Sequence, residues 1–226
     1  MDFTNRNLAV LFEIGGVKFY LTDTLIATWV VMAILILFAI VVRIKLKNFK
    51  EVPRGFQNIV ESLVEVMDKF TTNTMGKDYR EFGGYFFAVF AFILISNYSG
   101  LIGLRPPTAD LSTTIVLAGS TFVLVHITGI KRQRGHYLRS FIEPYPVFLP
   151  INFISEISDI LSLTFRLFGN ILGGVIILGL VYHMIPYFLS FVLPSALHMY
   201  FDIFAGALQA FIFTVLSMTM IQQKGN

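Results

Sequence analysis

One charge stands alone in the most apolar third of the sequence. In SLTFRLFGNILGG, residues 162–174, Arg166 is followed by no further formal charge until Asp202. Arginine holds its proton throughout the physiological range, so in a dry setting it cannot itself ferry a proton, but its planar guanidinium can hold a carboxylate in the ionised form. The chemistry on offer is therefore electrostatic. Asn170 follows Arg166 by one helical turn and Asp159 precedes it by two, with Glu156 and Ser155 nearer the start of the same segment. Further on, Asp202 and Gln209 repeat the seven-residue spacing. Two helices would each present a polar stripe to an apolar interior, and spacing alone allows either an ion path or hydrogen bonding between helices. Gly169, Gly173, Gly174 and Gly179 on the first helix and Ala205, Gly206 and Ala210 on the second make smooth surfaces. These suit a helix that passes closely, or static close packing.

The elements that position these groups follow from composition. Of 226 residues 55% are hydrophobic, 24 are Phe and only 14% are charged, with a mean hydropathy of +0.73. Such a chain is an integral membrane protein. Residues 24–42, 82–104 and 111–130 carry no charge and are each long enough to cross about 30 Å of hydrocarbon as a helix. Residues 148–185 and 197–222 are longer and more polar, and Pro186 and Pro194 bracket a turn between them, which predicts a long tilted helical hairpin. The fold class expected is all-α, a single membrane domain with five crossings and one interfacial helix. In the hairpin, Arg166 lies about 27 Å of helix from either end at about 1.5 Å per residue, too deep to snorkel, so it must be held in protein or in a water-filled cavity. Burying it costs about 2.5 to more than 10 kcal/mol, which makes it a functional-site candidate unless it is paired to a carboxylate between helices.

Basic residues set an orientation. Arg43, Lys45, Lys47, Lys50 and Arg54 follow the first span, and Lys131, Arg132, Arg134 and Arg139 follow the third. Those loops face the cytoplasm of a cell, so the N-terminus lies outside and the C-terminus inside. In residues 55–75, Phe56, Ile59, Val60, Leu63, Val64, Met67 and Phe70 recur at helical spacing opposite Gln57, Asn58, Glu61, Glu65, Asp68 and Lys69. This helix lies along the membrane surface, as an anchor or as a docking face for another subunit. The N-terminus lacks the pattern of a signal peptide and reads as mature chain. With no cysteine and with His126, His136, His183 and His198 at no ligand spacing, neither a metal site, a redox centre nor a cofactor is expected. His183 and His198 fall near the outer end of the hairpin, as interfacial residues or a proton relay; His126 has no evident partner. No phosphate-binding GxxxxGK[ST] loop, GxSxG nucleophile or nucleic-acid motif occurs.

LSLTFRLFGNILGG resembles the arginine-bearing signature of subunit a of the F-type ATP synthase membrane sector, and ALQAFIFTVLSMTM resembles the last helix of that family, with Gln209 at its glutamine position. The resemblance extends to SNYSGLIGLRPPTADLSTT (96–114) and EPYPVFLPINFISEISD (143–159). It implies a stator beside a rotating ring of c subunits, with peripheral-stalk b subunits meeting the first span and the surface helix. Arg166 would face the ring, Asn170 and Gln209 would orient its guanidinium and hold water, and Gly169, Gly173 and Gly206 would let the ring slide past. Many relatives carry a glutamate nine positions after the arginine, where this chain has Val175. Asp202 would then supply the outer half-channel with its carboxylate, and Glu156, with Ser155 and Asp159, would serve the cytoplasmic half-channel. The transported ion would be H⁺ or Na⁺, selected mainly by the ring. The rival expectation is a stand-alone secondary transporter or ion channel.

Overall fold

In the computed structural model, residues 7–14, 17–47, 52–142, 145–184 and 192–225 are described. An antiparallel hairpin of β1 (Asn7–Ile14) and β2 (Val17–Thr22) comes first, an addition to the all-helical expectation. Its last residue, Thr22, caps α1 (Asp23–Lys45) by accepting a hydrogen bond from the Leu25 amide. Next come α2 (Phe56–Met75), α3 (Gly83–Tyr98, flanked by 3-10 turns) and α4 (Leu111–Gln133, capped by Asp110). A short α5 (Gly135–Ser140) precedes α6 (Leu149–Met184), which is 36 residues long. Pro194 lies in the first turn of α7 (Val192–His198); Pro186, residues 187–191 of the turn expected between the two prolines, and the N-terminal residues 1–6 lie outside the described residues, as does Lys50. A π-helical segment, Met199–Ala205, leads into α8 (Gly206–Gly225).

Among the described residues, five helical segments are long and apolar enough to cross a membrane. They are Asp23–Lys45, Lys77–Ile102, Leu111–Gln133, Pro146–Met184 and Leu193–Gly225. Contacts at the helix ends fix their alternation. At one end, Thr24 at the start of α1 donates to Asp110 before α4 (2.9 Å), Asn97 at the end of α3 donates to the carbonyl of Gly206 at the start of α8 (2.9 Å), and Tyr182 at the end of α6 meets His198. At the other end, Lys45 lies over the Phe56 ring, Arg132 lies 3.7 Å from the centre of the Tyr79 ring, Gln222 bonds the Met75 carbonyl, and Lys224 pairs with Glu156 near the start of α6. This second end gathers the basic loop residues.

The core is apolar and lies off the face that carries Arg166. Met67, Met75, Tyr79, Phe86, Val125, Met218 and Ile221 form one cluster. Val89, Ile93, Ala118, Leu163, Leu167, Ala210 and Phe213 form the next along the bundle. By contrast α1 buries only Thr24, Ala27 and Val31, leaving Trp29, Ile36 and Leu37 outward, as a lipid-facing helix must. On α2 the apolar side divides: Val60 and Met67 pack inward while Ile59, Leu63, Val64 and Val66 stay exposed.

Candidate functional site: an open arginine between two buried carboxylates

Helix α6 spreads its residues over two faces. Leu163, Leu167 and Ile171, spaced by four, are buried in the bundle, as apolar side chains at i, i+4 and i+8 on one helical face should be. Phe165, Arg166, Gly169 and Asn170 are exposed on the open side. Arg166 stands 17 residues from Leu149 and 18 from Met184, at the middle of the helix. Among the described residues its guanidinium has neither a hydrogen bond nor an ion pair. Neither Asn170 nor Gln209 makes a hydrogen bond to it. Instead the Asn170 amide donates to the Gln209 carbonyl oxygen at 2.6 Å, tying α6 to α8 one turn beyond the arginine. Gln209 is 2% exposed, and its own amide nitrogen is buried without an acceptor, a spare donor beside the open face.

Of the small residues, Gly169 and Gly173 have open space where a Cβ would project. Gly206 corrects an expectation. It is buried against α3, where a Cβ would come 3.0 Å from the Asn97 Cβ, and its carbonyl accepts the Asn97 amide. Its smallness serves packing inside the chain and not passage of an outside partner. Asn97 in turn accepts the Thr108 hydroxyl at 2.6 Å, so a polar knot closes the α3–α8 junction.

Just above that knot sits Asp202, 9% exposed, in the π-helical segment. Its carboxyl packs where Gly100 has no side chain; a Cβ there would lie 3.2 Å from Oδ2. His198, four residues earlier, reaches the same oxygen through Nδ1 at 2.5 Å, and its Nε2 meets the Tyr182 hydroxyl at 2.9 Å. With Asp202 ionised, Nδ1–H donates to the carboxylate, and a neutral ring accepts the phenol proton at Nε2. Tyr182 is exposed, so a hydrogen-bonded file runs from the surface to a buried carboxylate. Segments of π-helix are frequent where a side chain must be aimed.

At the opposite end Glu156 is 8% exposed and pairs with Lys224, whose ammonium also lies 5.7 Å from the centre of the Phe141 ring. Close by, Tyr137 of α5 bonds Nδ1 of His126, the histidine for which the sequence offered no partner. The chain reverses at Arg134 with φ 51°, and α5 folds back onto α4. Gly129 permits the approach, because a Cβ there would stand 2.5 Å from the Tyr137 ring. Burial, together with the negative charge of Glu156, pushes the Tyr137 phenol up to about 12. Ser155 and Asp159 do not join this cluster: both are exposed, and among the described residues neither side chain makes a hydrogen bond or ion pair. Val175 is half-buried on α6, next to Gly174, which touches the Phe201 ring.

The arrangement can hold a negative group at Arg166 and offers a buried carboxylate toward each end of the bundle. Sequence reasoning missed Tyr182, Tyr137 and Lys224. His198 carried a signal that went unused, its i, i+4 spacing to Asp202. Lys224 and Glu156, 68 residues apart, left no local trace.

Comparison with known proteins is consistent with this geometry. The chain is 37% identical to ATP synthase subunit a of Moorella thermoacetica over 214 residues, 93% of each chain. It is 35% identical to the sodium ion specific ATP synthase subunit a of Propionigenium modestum over 226 residues, covering 92% of this chain and 75% of the other. It is 37% identical to ATP synthase subunit a 2 of Bradyrhizobium sp. BTAi1 over 215 residues, 94% of this chain and 92% of that one. The family described as ATP synthase A chain matches residues 25–222, almost the whole membrane region, and the chain belongs to that family.

Proposed function

We propose that this chain is the stator subunit a of a rotary F-type ATP synthase, passing ions between water and the carboxylates of a c-ring without performing covalent chemistry itself. One observation carries the reading: Arg166 is central on a membrane-length helix, turned outward, and unmatched by any acid among the described residues. A permanent cation in that position calls for an anion from outside the chain, and a ring carboxylate at mid-membrane is one.

The mechanism follows from the chemistry of the groups. A protonated ring site nearing Arg166 loses its proton, because the guanidinium favours the ionised carboxylate, and the site passes on as an ion pair. The fixed positive charge bars a proton from crossing directly between the two half-channels. Asn170 and the spare Gln209 donor keep water and the ring site in register. Asp202 feeds the outer half-channel through His198 and Tyr182, and Glu156 serves the cytoplasmic one. Each charge moved gains about 2.3 kcal/mol per 100 mV of membrane potential. The basic end of the bundle faces the cytoplasm of a bacterial plasma membrane, which leaves the N-terminus outside and the C-terminus inside. The b subunits of the peripheral stalk take the outward sides of α1 and α2, with lipid covering the remainder.

The test is reconstitution. The assembled complex in liposomes should pump on ATP addition, and the purified chain without a c-ring should pass no ion. Transport by the chain alone would establish a stand-alone transporter or channel in its place. Repeating the assay with and without Na⁺ identifies the coupling ion.

A further inference from the structure

We propose that Lys224, in the last turn of α8, is a positioning residue that favours proton release over proton uptake at Glu156; the inference rests on the reading of Glu156 as a cytoplasmic half-channel group. The pair joins helices far apart in sequence and is largely withdrawn from water, the Glu156 side chain being 10% exposed and the Lys224 side chain 34%. The last turn that carries Lys224 is itself fixed: the Gln222 side chain donates to the Met75 carbonyl at 3.2 Å, and the Tyr79 hydroxyl donates to the Gln222 carbonyl at 3.5 Å. The ammonium is thereby held over one carboxylate oxygen, Oε1. Other titratable groups around Glu156 are Tyr137 on α5 and His126 on α4, which bond each other, and Asp159, one turn along α6 and turned outward.

An ammonium hydrogen and a transported proton compete for that oxygen. Uptake from the cytoplasm requires a hydronium ion to transfer its proton to Oε1, leaving water, while the Lys224 N–H···O contact breaks. Release is the reverse: the proton leaves for water and the ion pair re-forms. Lys224 thus assists the outward half of the exchange and opposes the inward half, an opposition felt most where protons are scarce. Its single positive charge, held by the backbone contacts of the last turn, does this without touching the ring.

The experiment uses the complete reconstituted complex carrying Lys224→Gln, Lys224→Met or Lys224→Arg. Both ATP-driven pumping and ATP synthesis are measured across cytoplasmic-side pH 6 to 9.5 as ratios to the parent, so that pH effects of the soluble sector cancel. In Lys224→Gln and Lys224→Met the alkaline limb of pumping should move up by roughly one pH unit, with synthesis slowed about two- to threefold, as expected when an opposite charge is removed from a carboxylate. Lys224→Arg should keep the parent profile. A uniform loss in both directions with the limb unmoved, or failure of both neutral variants to assemble, overturns the proposal by making the pair structural. Glu156→Gln separates the two claims: parent rates at every pH in that variant would overturn the half-channel reading itself, whereas a slowed Glu156→Gln beside an unshifted Lys224→Gln overturns the role of Lys224 alone.

Discussion

The two buried carboxylates, Asp202 and Glu156, sit at opposite ends of the bundle in comparable burial, yet they keep different company. Asp202 is matched to a histidine that can be neutral and that passes the contact on to an exposed tyrosine. Glu156 is matched to a lysine carried by the last turn of α8. The outer site thus passes its contact along a file to the surface, and the inner one ends in a direct ion pair between two helices. Between them Arg166 has no partner among the described residues. The lesson is that pairing, more than burial, distinguishes the three charges: relayed, clamped and open.

The sharpest way to break the comparison is at the open charge. Arg166→Ala should lower coupled transport by at least about a hundredfold, about 2.7 kcal/mol in barrier terms, with assembly retained. Arg166→Lys should stay within a few-fold of that loss, because an ammonium lacks the fork and can shed its proton when buried. Pumping near parent rates in either variant ends the assignment. Next comes the relay. Asp202→Asn preserves shape but cannot ionise, and it should slow ATP synthesis by roughly tenfold or more in a complex that still assembles. Synthesis equal to the parent between pH 6 and 9 would reduce Asp202 to a solvated cap. Adding Val175→Glu to Asp202→Asn should recover part of the rate, roughly two- to fivefold, if both positions reach one aqueous cavity. No recovery would place them in separate spaces.

A smaller effect tests the inner end. The Tyr137 phenol should ionise near pH 12 and not near 10, read as the phenolate absorbance that disappears in Tyr137→Phe. Because the folded value is raised, the associated stability is complete below about pH 10 and is lost as pH rises through about 12. A titration of Tyr137 near 10 would show that neither burial nor Glu156 acts on it.

What could be read from sequence was local. Arg166, Asn170 and Gln209 were visible because helical spacing and an apolar background isolate them, and the five spans because an uncharged apolar run of that length is stable chiefly as a helix in hydrocarbon. The N-terminal hairpin had a signal that went unread: the apolar runs of AVLFEI and VKFYLT on either side of Gly15 and Gly16 fit two strands and a tight turn. Gly206 was misplaced because a small residue looks the same whether it serves a sliding partner or a crossing helix. The Glu156–Lys224 pair and the packing of Asp202 on Gly100 depend on how helices meet, which no spacing rule reports.

The π-helical turn at Met199–Ala205 carries a consequence for how this protein can change. Hydrogen bonds that skip one residue more than in an α-helix store the equivalent of an insertion without lengthening the chain's fold. Asp202 lies inside that wide turn and Gln209 beyond it, so the phase between them is adjustable: deleting a single residue from the segment would tighten it to ordinary α-helix and turn Asp202 relative to Gln209 by less than the about 100° of a full residue step, because the wide turn already absorbs most of it. The segment therefore works as a rotary coupling within one helix, letting the carboxylate be aimed at Gly100 while the glutamine stays in register with Asn170.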